Sequence, residues 1–110
     1  MSAPSRGDLV WLEFDPQSGR EQAGRRPALV LSPHTYNDKV GLAVVVPITL
    51  QARNYGFEVP LPTDAGVEGV VLADHVRSVD WRERRVRHIG AVPEEFVTQV
   101  TSRLARLFES

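Results

Sequence analysis

A mainly β domain closed by one C-terminal helix is the fold this sequence predicts. Three observations predict it: short runs rich in Val, Leu, Ile and aromatic residues, turns rich in Gly and Pro between them, and a four-residue apolar period confined to the chain's end. The first run, Leu9–Phe14, is closed by Asp15-Pro16 and reads as a strand ended by a turn. Gln17–Arg26 has no apolar periodicity and two glycines, which makes it a loop of about ten residues, long for a strand connection and of the kind that carries function. Pro27–Leu31 reads as the second strand, with proline placed first, where a missing N–H matters least.

His34–Lys39 reads as a polar turn. Gly41–Thr49 follows as a third strand, apolar enough to be buried on both faces, in which Pro47 points to an edge or a bulge. Tyr55–Leu61 is a weaker strand leading to the turn Thr63-Asp64-Ala65-Gly66, Gly69–Val79 holds one or two strands, Asp80–Arg84 a helical turn, and Val86–Val92 a last strand. Beyond Pro93, Phe96, Val100, Leu104 and Phe108 recur every four residues, with Val97 and Leu107 on the same stripe. Glu94 and Glu95 open that segment while Arg103 and Arg106 close it, as the helix dipole favours.

The 110 residues are the size of one domain, able to withdraw roughly two-thirds of the unfolded surface from water. A single domain over 1–110 is expected. With no cysteine, disulfide frameworks, thiolate metal sites and a cysteine nucleophile are all excluded. Neither a leader-like apolar stretch behind Met1–Arg6 nor a membrane-length apolar run is present, so a soluble cytoplasmic protein with no membrane contact is expected. A net charge of −1 rules out nucleic-acid binding by bulk electrostatics and requires any such contact to be local. All but Lys39 of the 13 basic residues are arginine, whose planar fork matches phosphate. Arg82, Arg84, Arg85 and Arg87 cluster beside His88, yet Glu83 sits among them and a solvated charged turn is the simpler reading.

The loop Gly19–Pro27 concentrates Arg20, Glu21, Gln22, Arg25 and Arg26 around two glycines, Gly19 and Gly24. Phosphodiester cleavage needs those group types: a base for the attacking hydroxyl and a fixed cation for the charge that develops on phosphoryl oxygens. Arg26 precedes Pro27, which holds its backbone extended at the start of a strand. On composition alone Glu21 and Arg26 would read as a surface ion pair worth ~1 kcal/mol or less.

Four motifs, taken together and in order, alter that balance: RGDLVWLEFDP at Arg6–Pro16, GREQAGRRPALVLS at Gly19–Ser32, VPIT at Val46–Thr49 and VLADHVRS at Val71–Ser78. They resemble the MazF/PemK family of toxin endoribonucleases. The resemblance implies a small SH3-like barrel of the CcdB/PemK type that works as a homodimer. It also implies metal-independent, sequence-specific cleavage of single-stranded RNA and control by an acidic, MazE-like antitoxin. Carried over by motif, Glu21, Arg26 and Thr49 are the implied catalytic residues. Attack of the RNA 2′-hydroxyl on the neighbouring phosphorus would leave a cyclic phosphate and a 5′-hydroxyl. Glu21 is the candidate base, since an ordinary carboxylate is ionised at neutral pH, and Arg26 is a poor proton donor, so no acid is assigned.

The RNA-contacting residues implied are Phe14, Gln22, Arg25 and Arg53, with Tyr55, Asp74, His75 and Arg77 from later segments. Among the aromatics, Trp11, Phe14 and Trp81 read as core by their setting, whereas Tyr55 after Arg53-Asn54 is placed to stack a base. His75 stands where relatives often carry glutamine, which bears on base recognition more than on cleavage. His34, His75 and His88 titrate near neutrality but lie in three separate segments, and read as surface or binding residues. Arg6-Gly7-Asp8 reads as the lead-in to a strand, and no ligand spacing for a metal is found. Two other readings remain: a CcdB-like gyrase poison, against which the Leu107-Phe108-Glu109-Ser110 ending argues, and a non-catalytic RNA- or antitoxin-binding module.

Overall fold

The computed structural model describes residues 2–14 and 24–109, with Phe14 as backbone only. In chain order the elements are β1 (Asp8–Phe14), β2 (Gly24–Val30), α1 (His34–Val40), β3 (Leu42–Thr49), β4 (Glu58–Pro60), β5 (Val70–Leu72), β6 (Arg77–Asp80), β7 (Arg87–Ala91) and α2 (Glu94–Ala105), followed by a 3-10 turn at Arg106–Phe108. All strand pairs are antiparallel, in the order β4-β5-β3-β2-β1-β7, with β6 also on β3. This is the expected barrel-like fold with a C-terminal helix, although the sheet does not close on itself.

Strict alternation along the central strands divides the apolar residues between two layers. Leu9, Leu29, Val46 and Ile48 enter one cluster, capped by Phe96, Val97 and Val100 of α2. Val10, Leu12, Ala28, Val30, Ala43 and Val45 enter the other, around Trp81. The expectation that the third strand is buried on both faces is met, and each large apolar side chain so withdrawn contributes roughly 1.5–3 kcal/mol.

Several local expectations are corrected. The second strand begins at Gly24 rather than Pro27, so Arg25 and Arg26 belong to β2, and Pro27 lies mid-strand opposite Trp11. Pro47 is in a central strand, not at an edge. One side of β3 is shared by β6, up to Val45↔Arg77, and by β5, from Ile48↔Val71; Pro47 falls in the gap, where no ladder bond is asked of it. The polar stretch after Pro33 is a helix, α1, ended by Gly41 at φ 83. Its buried residue is polar: Asn37 donates to Pro4 O and Ser32 O, accepts from the Ser32 hydroxyl, and offers its carbonyl to the Trp81 indole N–H. The weaker strand shrinks to Glu58–Pro60, and Gly69–Val79 resolves into β5 and β6. At Asp80–Arg84 the expected helical turn forms, with Arg84 N–H on Asp80 O and the Asp80 carboxylate accepting from Arg82 and Glu83 N–H. The apolar stripe of α2 ends early, since Leu107 is about half exposed and Phe108 is 80% exposed.

Arg6-Gly7-Asp8 is structural, as expected. Arg6 makes a forked contact to Glu94 at the start of α2 and donates to Leu31 O, while Gly7, at φ 92, exchanges backbone bonds with Val30 and Val92. The Arg6 guanidinium holds the Glu94 carboxyl below its usual range.

Candidate active site

The site forms where β2 and β3 part. Their pairing stops at Ala28↔Pro47; continuing the register by two residues sets Arg26 opposite Thr49. Both side chains line one cavity of about 730 Å³, with Trp11, Ile48, Thr63 and Glu68 among its walls. The Thr49 hydroxyl oxygen accepts from Gln51 N–H at 3.1 Å, which leaves its own proton to donate into the cavity. A guanidinium and a hydroxyl donor thus line the same cavity, group types suited to an anionic oxygen.

Behind Thr49 the backbone is closely approached. Gly69 stands at φ +132, just before β5, and a Cβ at that position would lie 2.5 Å from Thr49 O. Only glycine lets the two strands meet there without moving Thr49.

A second cavity, of about 500 Å³, opens next to the first, and Thr49 and Gln51 line both. Arg53, Tyr55, Glu58, Asp74 and His75 complete its polar wall. The Tyr55 hydroxyl donates to Asp74 Oδ1 at 2.7 Å, and His75 Nε2 lies 3.5 Å from the same hydroxyl. Partial burial, then the bond to Asp74 and the negative charge of Asp74 and Glu58, push the Tyr55 phenol up to about 12. It is therefore a hydrogen-bond donor throughout the neutral range. Glu58 is buried, and its carboxylate accepts from Arg53 N–H at 2.6 Å and Asn54 N–H at 2.8 Å, holding the turn in which Asn54 has φ 59. Arg103 of α2 donates to Gly56 O and Glu58 O, fastening that turn to the helix.

The family model for the PemK-like, MazF-like toxins of type II toxin-antitoxin systems matches residues 5–108. The chain belongs to that family. It is 52% identical over 93 residues to the endoribonuclease toxin MazF of Escherichia coli K12, covering 84% of this chain and 83% of the relative. It is 45% identical to the endoribonuclease toxin ChpB of the same strain, covering 94% and 93%. A chain in the crystal structure of MazE-MazF (form II) from Deinococcus radiodurans superposes with a TM-score of 0.91 at 51% identity, covering 98% and 97%.

Of the residues that the resemblance to these toxins implied, Arg26 and Thr49 share one cavity, and Arg53, Tyr55, Asp74 and His75 share the next. Glu21, Gln22 and the Phe14 side chain lie outside the described residues. Arg25 sits on the opposite face of β2 from Arg26, its guanidinium 5.5 Å from the centre of the Trp11 ring. Arg77 is on β6 opposite Val45 and lines neither cavity. Trp81 is core, as expected, but Trp11 is a cavity wall rather than core. The arginine cluster after β6 is tied to the barrel: Glu13 N–H bonds Arg84 O, Arg85 reaches the Glu13 carboxylate, and Arg82 lies over Trp81. Gln51, Glu58, Glu68 and Gly69 were missed, since none belongs to a charged or aromatic run and only the fold gathers them.

Proposed function

We propose that this chain is the toxin of a toxin–antitoxin pair, an endoribonuclease that cuts single-stranded RNA by attack of the 2′-hydroxyl on the adjacent phosphorus. One observation carries the chemistry: in a chain of this family, Arg26 and Thr49 line a single open cavity at the point where β2 and β3 separate. Arg26 would hold the non-bridging oxygens as charge builds on them, and Thr49 would donate a hydrogen bond to one of them. The carboxylate of Glu21, the residue implied by motif, would take the 2′-proton; the new bond closes the cyclic phosphate as the 5′-oxygen departs. The cavity with Tyr55, Asp74 and His75 would hold a neighbouring nucleotide, while Phe14, Gln22, Arg25, Arg53 and Arg77 would act along the RNA path.

Its setting would be the cytoplasm, where a toxin meets RNA; no described helix is long and apolar enough to cross a membrane. The protein would act as a homodimer, in which basic residues of two chains can gather despite a net charge of −1. An acidic MazE-like antitoxin would silence it, as the MazE-MazF pairing of the Deinococcus relative supports. The test is to incubate the purified protein with single-stranded RNA, with and without a chelator, and to map the ends. We expect 5′-hydroxyl and cyclic-phosphate ends formed equally well in both, and an Arg26→Ala variant slower by about 10²–10³-fold. Full cleavage by that variant, or abolition by EDTA with rescue by magnesium, would refute the mechanism.

A further inference from the structure

The cavity of Arg26 and Thr49 also contains a group that the chemistry above leaves unused. Departure of the 5′-oxygen calls for a proton, and the described side chains that line the cavity offer few sources of one. Arginine keeps its proton, which rules out Arg26, and the hydroxyls of Thr49 and Thr63 and the amide of Gln51 are far weaker acids than a carboxyl. Glu68 is the one carboxyl among them. It is exposed to solvent, and no partner for its side chain is found among the described residues. The fold fixes where it enters. On one side of β3 stands β2, which carries Arg26; on the other, Thr49 pairs with Val70 of β5, two residues beyond Glu68. Leu61 N–H closes the intervening turn on Gly69 O at 3.1 Å, and the turn rests on β7, where a Cβ on Gly90 would come 3.3 Å from Ala65 O. Glu68 therefore reaches the cavity from the β5 side and Arg26 from the β2 side.

We propose that Glu68 is a further catalytic residue of RNA cleavage, whose carboxyl gives a proton to the 5′-oxygen as that oxygen leaves. The proposal rests on the RNA-cutting reading above. In the step, O2′ bonds to phosphorus, the P–O5′ bond breaks with its electron pair on O5′, and O5′ takes the proton from Glu68. The carboxylate left behind regains a proton from solvent, to which it is open. A phosphodiester in the cavity favours the neutral form of a neighbouring carboxyl, because ionisation would set two negative charges side by side. The proton is thus held in the complex, where it is spent. No other described side chain of this cavity can supply it.

The test compares the wild type with Glu68→Gln on two RNA oligomers of the mapped cut sequence that differ in one atom. One carries the ordinary 5′-oxygen at the cut; the other carries a 5′-bridging sulphur, which leaves as a thiolate and needs no proton. Because Glu68 is exposed, the exchange leaves the fold intact. On the oxygen-linked RNA, Glu68→Gln should lower kcat by about 10²-fold or more, the usual worth of a positioned proton donor. On the sulphur-linked RNA the same variant should lose about threefold or less, since the donor has nothing to do there. A loss of equal size on both oligomers would mean that Glu68 acts through binding alone, and no loss on the oxygen-linked RNA would mean that it is idle. Either result overturns the proposal and leaves the nuclease reading in place. Failure of the wild type to cut either oligomer would sink the nuclease reading, and the proposal with it.

Discussion

The two cavities that meet at Thr49 are built on opposite principles. The first lies between strands, its residues set by sheet register: Arg26 and Thr49 are neighbours because β2 and β3 pair up to Ala28↔Pro47 and then part. The second is made of turns, and carboxylates hold it: Glu58 ties down Arg53 and Asn54, and Asp74 holds Tyr55. The first brings together the Arg26 guanidinium and the Thr49 hydroxyl; the second sets two carboxylates beside Tyr55, His75 and Arg53. Strand register fixes the cavity proposed for bond breaking, where tight geometry is needed, while hydrogen-bonded turns form its neighbour, which can change without disturbing the barrel.

If that division is right, the largest effect comes from moving the register-built cavity without touching its functional groups. Gly69→Ala places a methyl group 2.5 Å from Thr49 O at a φ of +132, so the Thr49 backbone has to shift. Cleavage should drop by about 10–100-fold in kcat, since a displacement near 1 Å can cost that much, while affinity for an uncleavable RNA changes by about threefold or less. Gly56→Ala, which meets no heavy atom within 4 Å, is the control and should alter stability by about 0.5 kcal/mol at most. In a Thr49→Ala background Gly69→Ala should cost little more, because both act through one residue. Additive losses would mean that Gly69 supports only the fold.

The turn-built cavity should answer in the opposite way. Glu58→Gln keeps one acceptor but faces an amide NH2 toward a backbone N–H, at a cost of about 1–3 kcal/mol for a buried group left unpaired. RNA affinity should weaken by about 3–10-fold with kcat at saturation little changed, the reverse of the Gly69 pattern. A fall in kcat with affinity intact would erase the contrast between the two cavities.

Much of the fold was legible, because unbroken apolar runs follow from burial on both faces of a sheet and a period-4 terminal stripe from burial on one face of a helix. Leu9 to Leu12 and Pro27 to Val30 show it. What was not legible depended on partners distant in sequence. Helix α1 is held by buried Asn37, which reads as a turn residue until Pro4, Ser32 and Trp81 surround it. Pro47 reads as an edge signal until β5 and β6 are seen to divide one side of β3. In the site, motifs delivered Arg26, Thr49, Tyr55 and Asp74. Glu58 and Gly69 escaped because one is a carboxylate in an ordinary strand and the other a glycine in a glycine-bearing turn, and their meaning lies in what they touch.

The smallest effect is spectroscopic and concerns the contact between Tyr55 and Asp74. Tyr55 has its phenol raised to about 12 from an ordinary 10.0, by partial burial first and then by Asp74. The folded state binds this proton more tightly than the unfolded state does. The associated stability is therefore fully present below pH 10 and is lost as pH rises from 10 toward 12. In a Tyr36→Phe background, which leaves Tyr55 as the sole tyrosine, ultraviolet absorbance titration should give a midpoint near 12. Asp74→Asn should bring it part of the way back toward 10.0, the burial contribution remaining. Cleavage near pH 7 should not register the shift, since the phenol is protonated in either case. An unchanged midpoint in Asp74→Asn would mean that Tyr55 and Asp74 are not joined in solution, and the second cavity would lose the wall that distinguishes it from the first.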